Sequence, residues 1–183
     1  DADPLALRDD LFTFLHRTVD CEPRIPWQDA SLPRLWRYQL HGFRMVRMLA
    51  SSAFSDSAAL GDAAHAARWV EDWFKHNPAG ADVAWDAHPT ADRIFNWLLG
   101  VAAFGAGYGA TAARCAAQAS WLESRLEHDV RANHLLKESM ALALVAEATG
   151  AGDGRRAWAR VEEQVSEQIL PDGGHYERSP MYH

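Results

Sequence analysis

The sequence has no apolar run that approaches the ~18 residues of a transmembrane helix, so we predict no membrane insertion. It also lacks a basic excess, because its net charge is -7. This charge argues against binding to nucleic acid or to anionic membrane surfaces, both of which favour a basic protein surface. The net negative charge is still compatible with a polyanionic substrate that binds in a locally basic groove.

Cysteines and known catalytic signatures are also scarce. Cys21 and Cys115 are the only two cysteines, and a chain of 183 residues can fold without a disulfide, so they do not identify a compartment. The sequence contains no G-x-S-x-G, glycine-rich phosphate loop, H-E-x-x-H or C-x-x-C motif. The spacing of His134, His175 and His183 does not demand a metal ion. We therefore predict no metal site and no cofactor in this chain.

Apolar residues at helical spacing are what the sequence does contain, along most of its length. Their period of three and four residues predicts an all-α fold with no clear β-strand. The predicted helices are residues 4–19, 32–54, 57–77, 89–107, 110–131, 134–149 and 153–170. The fourth is apolar nearly all round and is expected to be buried by its neighbours. This pattern favours one domain, 1–183, of stacked helical hairpins, as in an α/α toroid or solenoid.

Basic residues recur on one predicted face of the second helix, at spacings of three, four and three. They are Arg34, Arg37, His41 and Arg44. One interpretation is a solvated basic stripe. The other is a cationic wall for an anionic ligand, in which Trp36 and Tyr38 add aromatic surface.

Two further groups of polar residues stand at the ends of predicted helices. Arg93 and Asn96 interrupt an apolar helix, so they either form buried hydrogen bonds or, with Trp97, face a cleft. Asn133 and His134 precede the sixth helix. There Asn133 either caps the helix or presents an amide to a bound carboxylate, which the positive end of the helix dipole also favours.

The final stretch, PDGGHYERSPMYH at 171–183, is rich in polar, titratable and aromatic residues. Gly173 and Gly174 permit a sharp turn, and Pro180 restricts the backbone before Tyr182. A tyrosine can act as a base only if nearby positive charge lowers its pKa from about 10. Three residues are candidates to supply that charge: His134, Arg178 and His183. The composition indicates part of a site rather than a disordered tail.

Two of these stretches together resemble the heparinase II/III family of polysaccharide lyases, which includes lyases of heparin, heparan sulfate and alginate. They are NHLL at 133–136 and Q-x-L-x-D-G-G-H-x-E-R-S-P-M-Y-H at 168–183. LWRYQLHGF and HPTADRIFNW also match the style of the family. The resemblance implies an incomplete α/α toroid. We then expect the chain to be the N-terminal part of a longer enzyme, whose remaining toroid and β-sandwich domain, often with a structural metal, are absent here.

The resemblance also implies a reaction, which is β-elimination in a uronic-acid polysaccharide. Removing the C5 proton builds negative charge on the uronate carboxylate, so donors must be aimed at it. Asn133, with His134, would neutralise that carboxylate. Tyr182 would protonate the leaving O4 and in some geometries also take the C5 proton, for which His134 is the other candidate.

Further residues would line the sugar subsites by the same resemblance. They are Trp36, Tyr38, His41, Arg93, Asn96, Trp97, Arg178 and His183. Glu177 and His175 would support the loop of the catalytic tyrosine, a role that is also open to Arg178. Some relatives carry a glutamate three residues after the histidine of the Asn-His pair. Here that position is Lys137, with Glu138 next to it, so the resemblance does not assign the role of that glutamate to this chain.

Two other classes of function stay open at this point. An α/α-toroid glycoside hydrolase would need paired carboxylates, and Asp172 with Glu177 is the only such pair near the expected site. A non-catalytic carbohydrate-binding module is the other. The lyase interpretation implies an anionic polysaccharide as partner and a bacterial protein that is periplasmic or secreted. The polymer and the oligomeric state are left open by the sequence.

Overall fold

The computed structural model of the protein describes residues 4–53, 59–105, 110–129 and 133–176. Within these ranges it contains eight α-helices and one two-stranded antiparallel sheet, which confirms the all-α class. The elements are α1 Pro4–Arg8, β1 Leu11–Phe14, β2 Arg17–Asp20, α2 Arg34–His41, α3 Arg44–Ala53, α4 Ala59–His76, a 3₁₀ turn Asp82–Trp85, α5 Ala87–Phe104, α6 Ala110–Glu123, α7 Asn133–Thr149 and α8 Gly154–Gln168. The partial toroid implied by the resemblance remains a prediction.

A β-hairpin replaces most of the helix predicted over 4–19, so that prediction is wrong beyond Arg8. β1 and β2 pair in register from Leu11 opposite Asp20 to Phe14 opposite Arg17. Leu15 and His16 both have positive φ, which is the backbone of a two-residue hairpin turn. Phe12 and Phe14 both point into the core from alternate positions of β1. Their burial stabilises this segment as a strand relative to a helix.

The helix predicted over 32–54 is broken into α2 and α3. The break lies at Gly42 and Phe43, where Phe43 has a φ of 58° and a fully buried ring. A Cβ on Gly42 would stand 2.9 Å from the Tyr38 carbonyl oxygen and 3.0 Å from the Asp92 Cβ atom of α5. The missing side chain therefore lets the end of α2 approach α5 closely.

The helix predicted over 110–131 corresponds to α6 and ends earlier than predicted, at Glu123. Ser124 Oγ donates to the Trp121 carbonyl oxygen, and Arg125 N donates to that of Leu122. These turn bonds satisfy terminal carbonyls that a continuing helix would have used. The helices predicted over 57–77, 89–107, 134–149 and 153–170 correspond to α4, α5, α7 and α8.

The core is built largely from aromatic rings around α5. The largest fully buried rings include five of the eight tryptophans, Trp27, Trp36, Trp69, Trp73 and Trp97. α5 packs against α3, α4, α6 and α7, and α7 packs in turn against α8. The sequence-based expectation that this helix is enclosed by others is thus confirmed. In the described part of the chain, no helix has both the length and the apolar character needed to cross a bilayer.

Candidate active site

A cleft of about 1300 Å³ is lined mainly by residues of α3, α5 and α7. Its apolar lining includes Phe95, Leu98, Leu99, Leu136, Met140 and Leu144. Its polar lining includes Gln39, Arg44, Arg47, Ser51, His88, Asp92, Asn96, Asn133, Lys137 and Glu147. Apolar walls with a few convergent polar groups are the usual form of a ligand-binding cleft.

Asn133 and His134 stand at the start of α7, beside this cleft. Asn133 lines the cleft directly. His134 stacks on His88, with ring centroids 4.5 Å apart, and Nδ1 of His134 is 2.7 Å from an Oε2 atom of Glu127. The His134 side chain keeps 31% of its surface exposed, so a substrate can still reach it. The start of α7 therefore presents an amide and an imidazole side by side.

His88 is a member of this group that the sequence interpretation did not single out. Its Nε2 is 3.5 Å from Asp92 Oδ2, one turn further along α5. Lys137 of α7 pairs with the other oxygen of Asp92 at 2.7 Å. Burial lowers the pKa of His88, so its neutral form is favoured. In the sequence, the i, i+4 spacing of His88 and Asp92 was the one indication that His88 belongs to this group. The contact of His88 with His134 joins distant parts of the sequence.

Glu138 lies beneath the same group and is fully buried. One of its carboxyl oxygens accepts a hydrogen bond of 2.9 Å from the backbone N–H of Glu127. Burial raises the pKa of Glu138 to about 8, and the nearby Glu127 carboxylate acts in the same direction. Within the described ranges, Glu127, His134 and Glu138 form the one group whose potential metal-ligand atoms all lie within 4.8 Å of one another.

The basic stripe predicted on the second helix is divided by the break at Gly42. Arg34 pairs with Asp86 at 2.9 Å, and Arg37 is buried and pairs with Asp82. Arg44 lies instead on α3, where it lines the cleft together with Arg47. Among the residues that the structure describes, neither of these two arginines has a carboxylate partner. The positive charge available to a ligand is therefore on α3 and not on α2.

Four residues predicted to contact sugar are core residues instead, and those predictions are corrected. They are Trp36, His41, Arg93 and Trp97, each at most 1% exposed. The guanidinium of Arg93 donates to Gln118 Oε1, to the carbonyl oxygens of His41 and Ala84, and to Thr90 Oγ1. The alternative of buried hydrogen bonds is thus the right one for Arg93, since a fully desolvated guanidinium needs all of its donors satisfied.

The other two predicted sugar-binding residues on these helices lie near the cleft. Asn96 lines it and also donates from Nδ2 to the Gly42 carbonyl oxygen at 2.7 Å. Tyr38 packs 6.0 Å from the His88 ring, and its hydroxyl donates to Asp86 at 2.5 Å. Burial, with the bond to Asp86, raises the pKa of Tyr38 to about 12, so this phenol stays protonated.

The final stretch is described only as far as residue 176. Asp172 Oδ1 accepts a bond from Gly174 N in a turn where Gly173 has a φ of 84°. His175 is buried and bonds Gln168 through Nε2 at 3.0 Å, so it anchors this turn to the end of α8. Four predicted site residues lie outside the described residues: Glu177, Arg178, Tyr182 and His183.

Comparison with known proteins identifies the family. Neither curated proteins nor solved structures gave a match to this chain. A family model described as Heparinase II/III N-terminus matches residues 9–183, which is nearly the whole sequence. The match includes the Asn133-His134 pair, the cleft and the final stretch. The chain therefore belongs to the heparinase II/III N-terminal family.

Proposed function

We propose that the protein is a polysaccharide lyase that cleaves a uronic-acid polysaccharide by β-elimination. The observation that carries this proposal is the adjacent amide and imidazole of Asn133 and His134 beside the cleft, in a chain of the heparinase II/III family. This chemistry needs hydrogen-bond donors at a carboxylate and a group that can take a proton. The start of α7 supplies both types of group.

Neutralisation of the uronate carboxylate is the first requirement. Abstraction of the C5 proton places negative charge on that group, and the transition state is stabilised by donors aimed at it. The Asn133 amide can donate to one carboxylate oxygen. Its position at the first residue of α7 adds the partial positive charge of the helix N-terminus. His134, next to it, is placed to donate to the same group or to act on C5.

The bond changes are then as follows. A base takes the C5 proton, the C5–H electron pair forms the C4–C5 double bond, and the C4–O4 bond breaks. The departing O4 takes a proton from a general acid, so one new double bond and one new chain end result. In this proposal Tyr182 is the acid, and either Tyr182 or His134 is the base.

The substrate class follows from the charges that line the cleft. Arg44 and Arg47 project from successive turns of α3 without carboxylate partners in the described part of the chain. They would bind carboxylates or sulfates on sugar units beside the one that reacts. A charged polymer does not cross a membrane unaided, and we therefore propose a periplasmic or secreted location in a bacterium.

The decisive experiment is an ultraviolet assay of the natural full-length protein on a panel of uronate polymers. β-Elimination creates a conjugated C4–C5 double bond, so absorbance rises as the polymer is cut. New chain ends without that absorbance would indicate hydrolysis. If no polymer gives either signal, the lyase proposal is contradicted.

Substitution of Tyr182 by phenylalanine tests the assigned general acid. Tyr182→Phe removes only the hydroxyl, so we expect turnover to fall by at least about 10²-fold while polymer affinity changes little. The measurement is kcat from the absorbance assay, together with the Kd from calorimetry. Unchanged turnover would remove Tyr182 from the mechanism.

A further inference from the structure

Two glutamates surround the buried side of His134, and the reaction proposed above gives neither of them a role. Glu127 lies in the segment that follows α6, and its Oε2 is 2.7 Å from Nδ1 of His134. Glu138 lies one turn along α7 from His134 and accepts the backbone N–H of Glu127. Glu138 therefore fixes the backbone of the residue that contacts the histidine.

The short contact between Glu127 and His134 is a direct hydrogen bond. Two neighbouring ligands of a tetrahedral or octahedral metal ion, bound at about 2.0–2.2 Å, are separated by about 2.8–3.6 Å. The observed Nδ1 to Oε2 distance of 2.7 Å is shorter than that. It matches a charge-assisted N–H···O bond, in which the imidazole donates and the carboxylate accepts.

The Glu138 carboxyl group is placed as a neutral acid. It is fully buried, and its Oε1 atom has no donor in the described part of the chain. An ionised carboxylate there would be costly, whereas a protonated one can donate to a neighbouring acceptor. Glu127 is the acceptor within reach, since its carboxyl group, that of Glu138 and the His134 ring each place a polar atom within 4.8 Å of the others.

We propose that Glu138 and Glu127 form a positioning chain for His134, in which the neutral Glu138 donates to the Glu127 carboxylate and Glu127 accepts the Nδ1 proton of His134. The histidine then keeps Nδ1 protonated and offers Nε2 to the reacting sugar. The 4.5 Å stack on His88 fixes the plane of the ring. Both glutamates act through His134 and do not touch substrate.

The consequence for catalysis rests on the proposed lyase function. A histidine whose Nδ1 is committed to a carboxylate can take a proton only at Nε2, and the carboxylate stabilises the imidazolium that forms. Among the described residues, other charged or titratable groups near the ring pair include Tyr38, whose ring is 6.0 Å from that of His88, and the pair of Asp92 and Lys137, whose charges offset each other. Glu127 is therefore the negative charge in the described part of the chain that is left to act on His134.

The test has a spectroscopic arm that does not depend on activity. The natural full-length protein is labelled with ¹⁵N-histidine, and the ring protons are observed by NMR. We expect a downfield, slowly exchanging proton on Nδ1 of His134. His41 is an internal control, because its Nδ1 accepts from Trp73 and its Nε2 donates to the Trp27 carbonyl oxygen. Absence of the Nδ1 proton of His134 would overturn the proposal.

Two substitutions distinguish the chain from a merely structural pair. Glu127→Ala should remove the Nδ1 proton signal of His134, leave the Nε2 proton signal of His41, and lower kcat by about 10²-fold with little change in KM. Glu138→Gln should retain the signal and keep turnover within about threefold, because a neutral amide can also donate to Glu127 and accept its N–H. Glu123→Ala, which breaks an ion pair with Arg160, is the matched control.

Each opposite outcome counts against the positioning chain. A retained Nδ1 signal or unchanged kcat in Glu127→Ala would overturn it. A folded Glu138→Gln protein that lost the Nδ1 signal would also overturn it. The same holds if mass spectrometry shows that this variant has lost a stoichiometric metal ion. If the wild-type protein cuts no uronate polymer, the proposed function fails while the NMR signals still decide how Glu127 and Glu138 hold His134.

Discussion

Helix α5 separates two polar regions that use buried groups in opposite ways. On its core side, Arg93 satisfies its guanidinium with neutral acceptors and stacks 4.1 Å above Trp73. His41, next to it, uses both ring nitrogens. On the cleft side, Nδ1 of His88 and Oε1 of Glu138 are buried without a hydrogen-bond partner in the described ranges. The titratable groups of the first region are satisfied, although the neutral Gln118 Nε2 and Trp97 Nε1 atoms there also lack a partner in the described ranges, whereas titratable groups of the second region have polar capacity left over.

This difference shows how buried polar residues can be assigned to structure or to chemistry. A buried charge with a full set of partners stabilises one conformation and has nothing left for a ligand. A group that keeps unused donors or acceptors near a cleft is a candidate for function. By this criterion Arg93 is structural, although its residue type and its neighbour Trp97 suggest a sugar-binding site in the sequence.

The largest expected effect comes from breaking the core region. Arg93→Met keeps the volume but leaves the Gln118, His41 and Ala84 oxygens without their donor, so we expect a loss of about 3–5 kcal/mol in unfolding free energy. Chemical denaturation measures it. Arg114→Ala, which removes an exposed pair with Glu71, should cost under about 1 kcal/mol. Equal losses in the two variants would contradict the structural role of Arg93.

A smaller effect, on binding rather than stability, is expected for the cleft arginines. Replacing both Arg44 and Arg47 by glutamine removes two charges that have no carboxylate partner in the described part of the chain, so polymer affinity should fall roughly five- to tenfold. Stability should change by less than about 0.5 kcal/mol. The control is Arg24→Gln, which removes one positive charge at an exposed position outside the cleft lining. Calorimetry with a uronate oligomer at two salt concentrations measures the difference.

The smallest effect is a change in how stability depends on pH. Burial raises the pKa of Glu138 from 4.5 to about 8, so between these values the folded state holds a proton that the unfolded state releases. The contribution of Glu138 is thus fully present below pH 4.5 and is lost as the pH rises towards 8. Between pH 5 and 8, the unfolding free energy of Glu138→Gln should fall less steeply with pH than that of the wild-type protein. The difference between the two slopes should correspond to less than one proton. An unchanged slope would contradict a neutral Glu138.

The sequence predicted the enclosed position of α5 because an all-round apolar helix has no solvent face. It also marked Asn133 and His134 as adjacent groups at a helix start, which is where they lie. Local patterns suffice for both results, since each depends on residues close together in the chain. The catalytic roles of these two residues and of Tyr182 stay predictions.

Features that depend on distant contacts were not predictable in the same way. The hairpin turn at Leu15 and His16 lacks the glycine or asparagine that usually signals positive φ. Strand burial against Trp69 and Trp36 therefore decides the structure there. Glu127 belongs to no periodic pattern, and its role depends on a fold that brings it to His134. Similarly, Arg93 and Trp97 face the core because of partners on other elements.

The bare backbone at Gly42 has a consequence for how this sequence can vary. Any side chain there would collide with α2 and α5 at once, and the same residue's carbonyl oxygen accepts the bond that orients Asn96. A saturation library at position 42 should therefore return glycine almost alone among active variants. Position 42 would thus tolerate less sequence drift than many positions that bury large side chains, although glycine contributes no side chain to the core or to the chemistry.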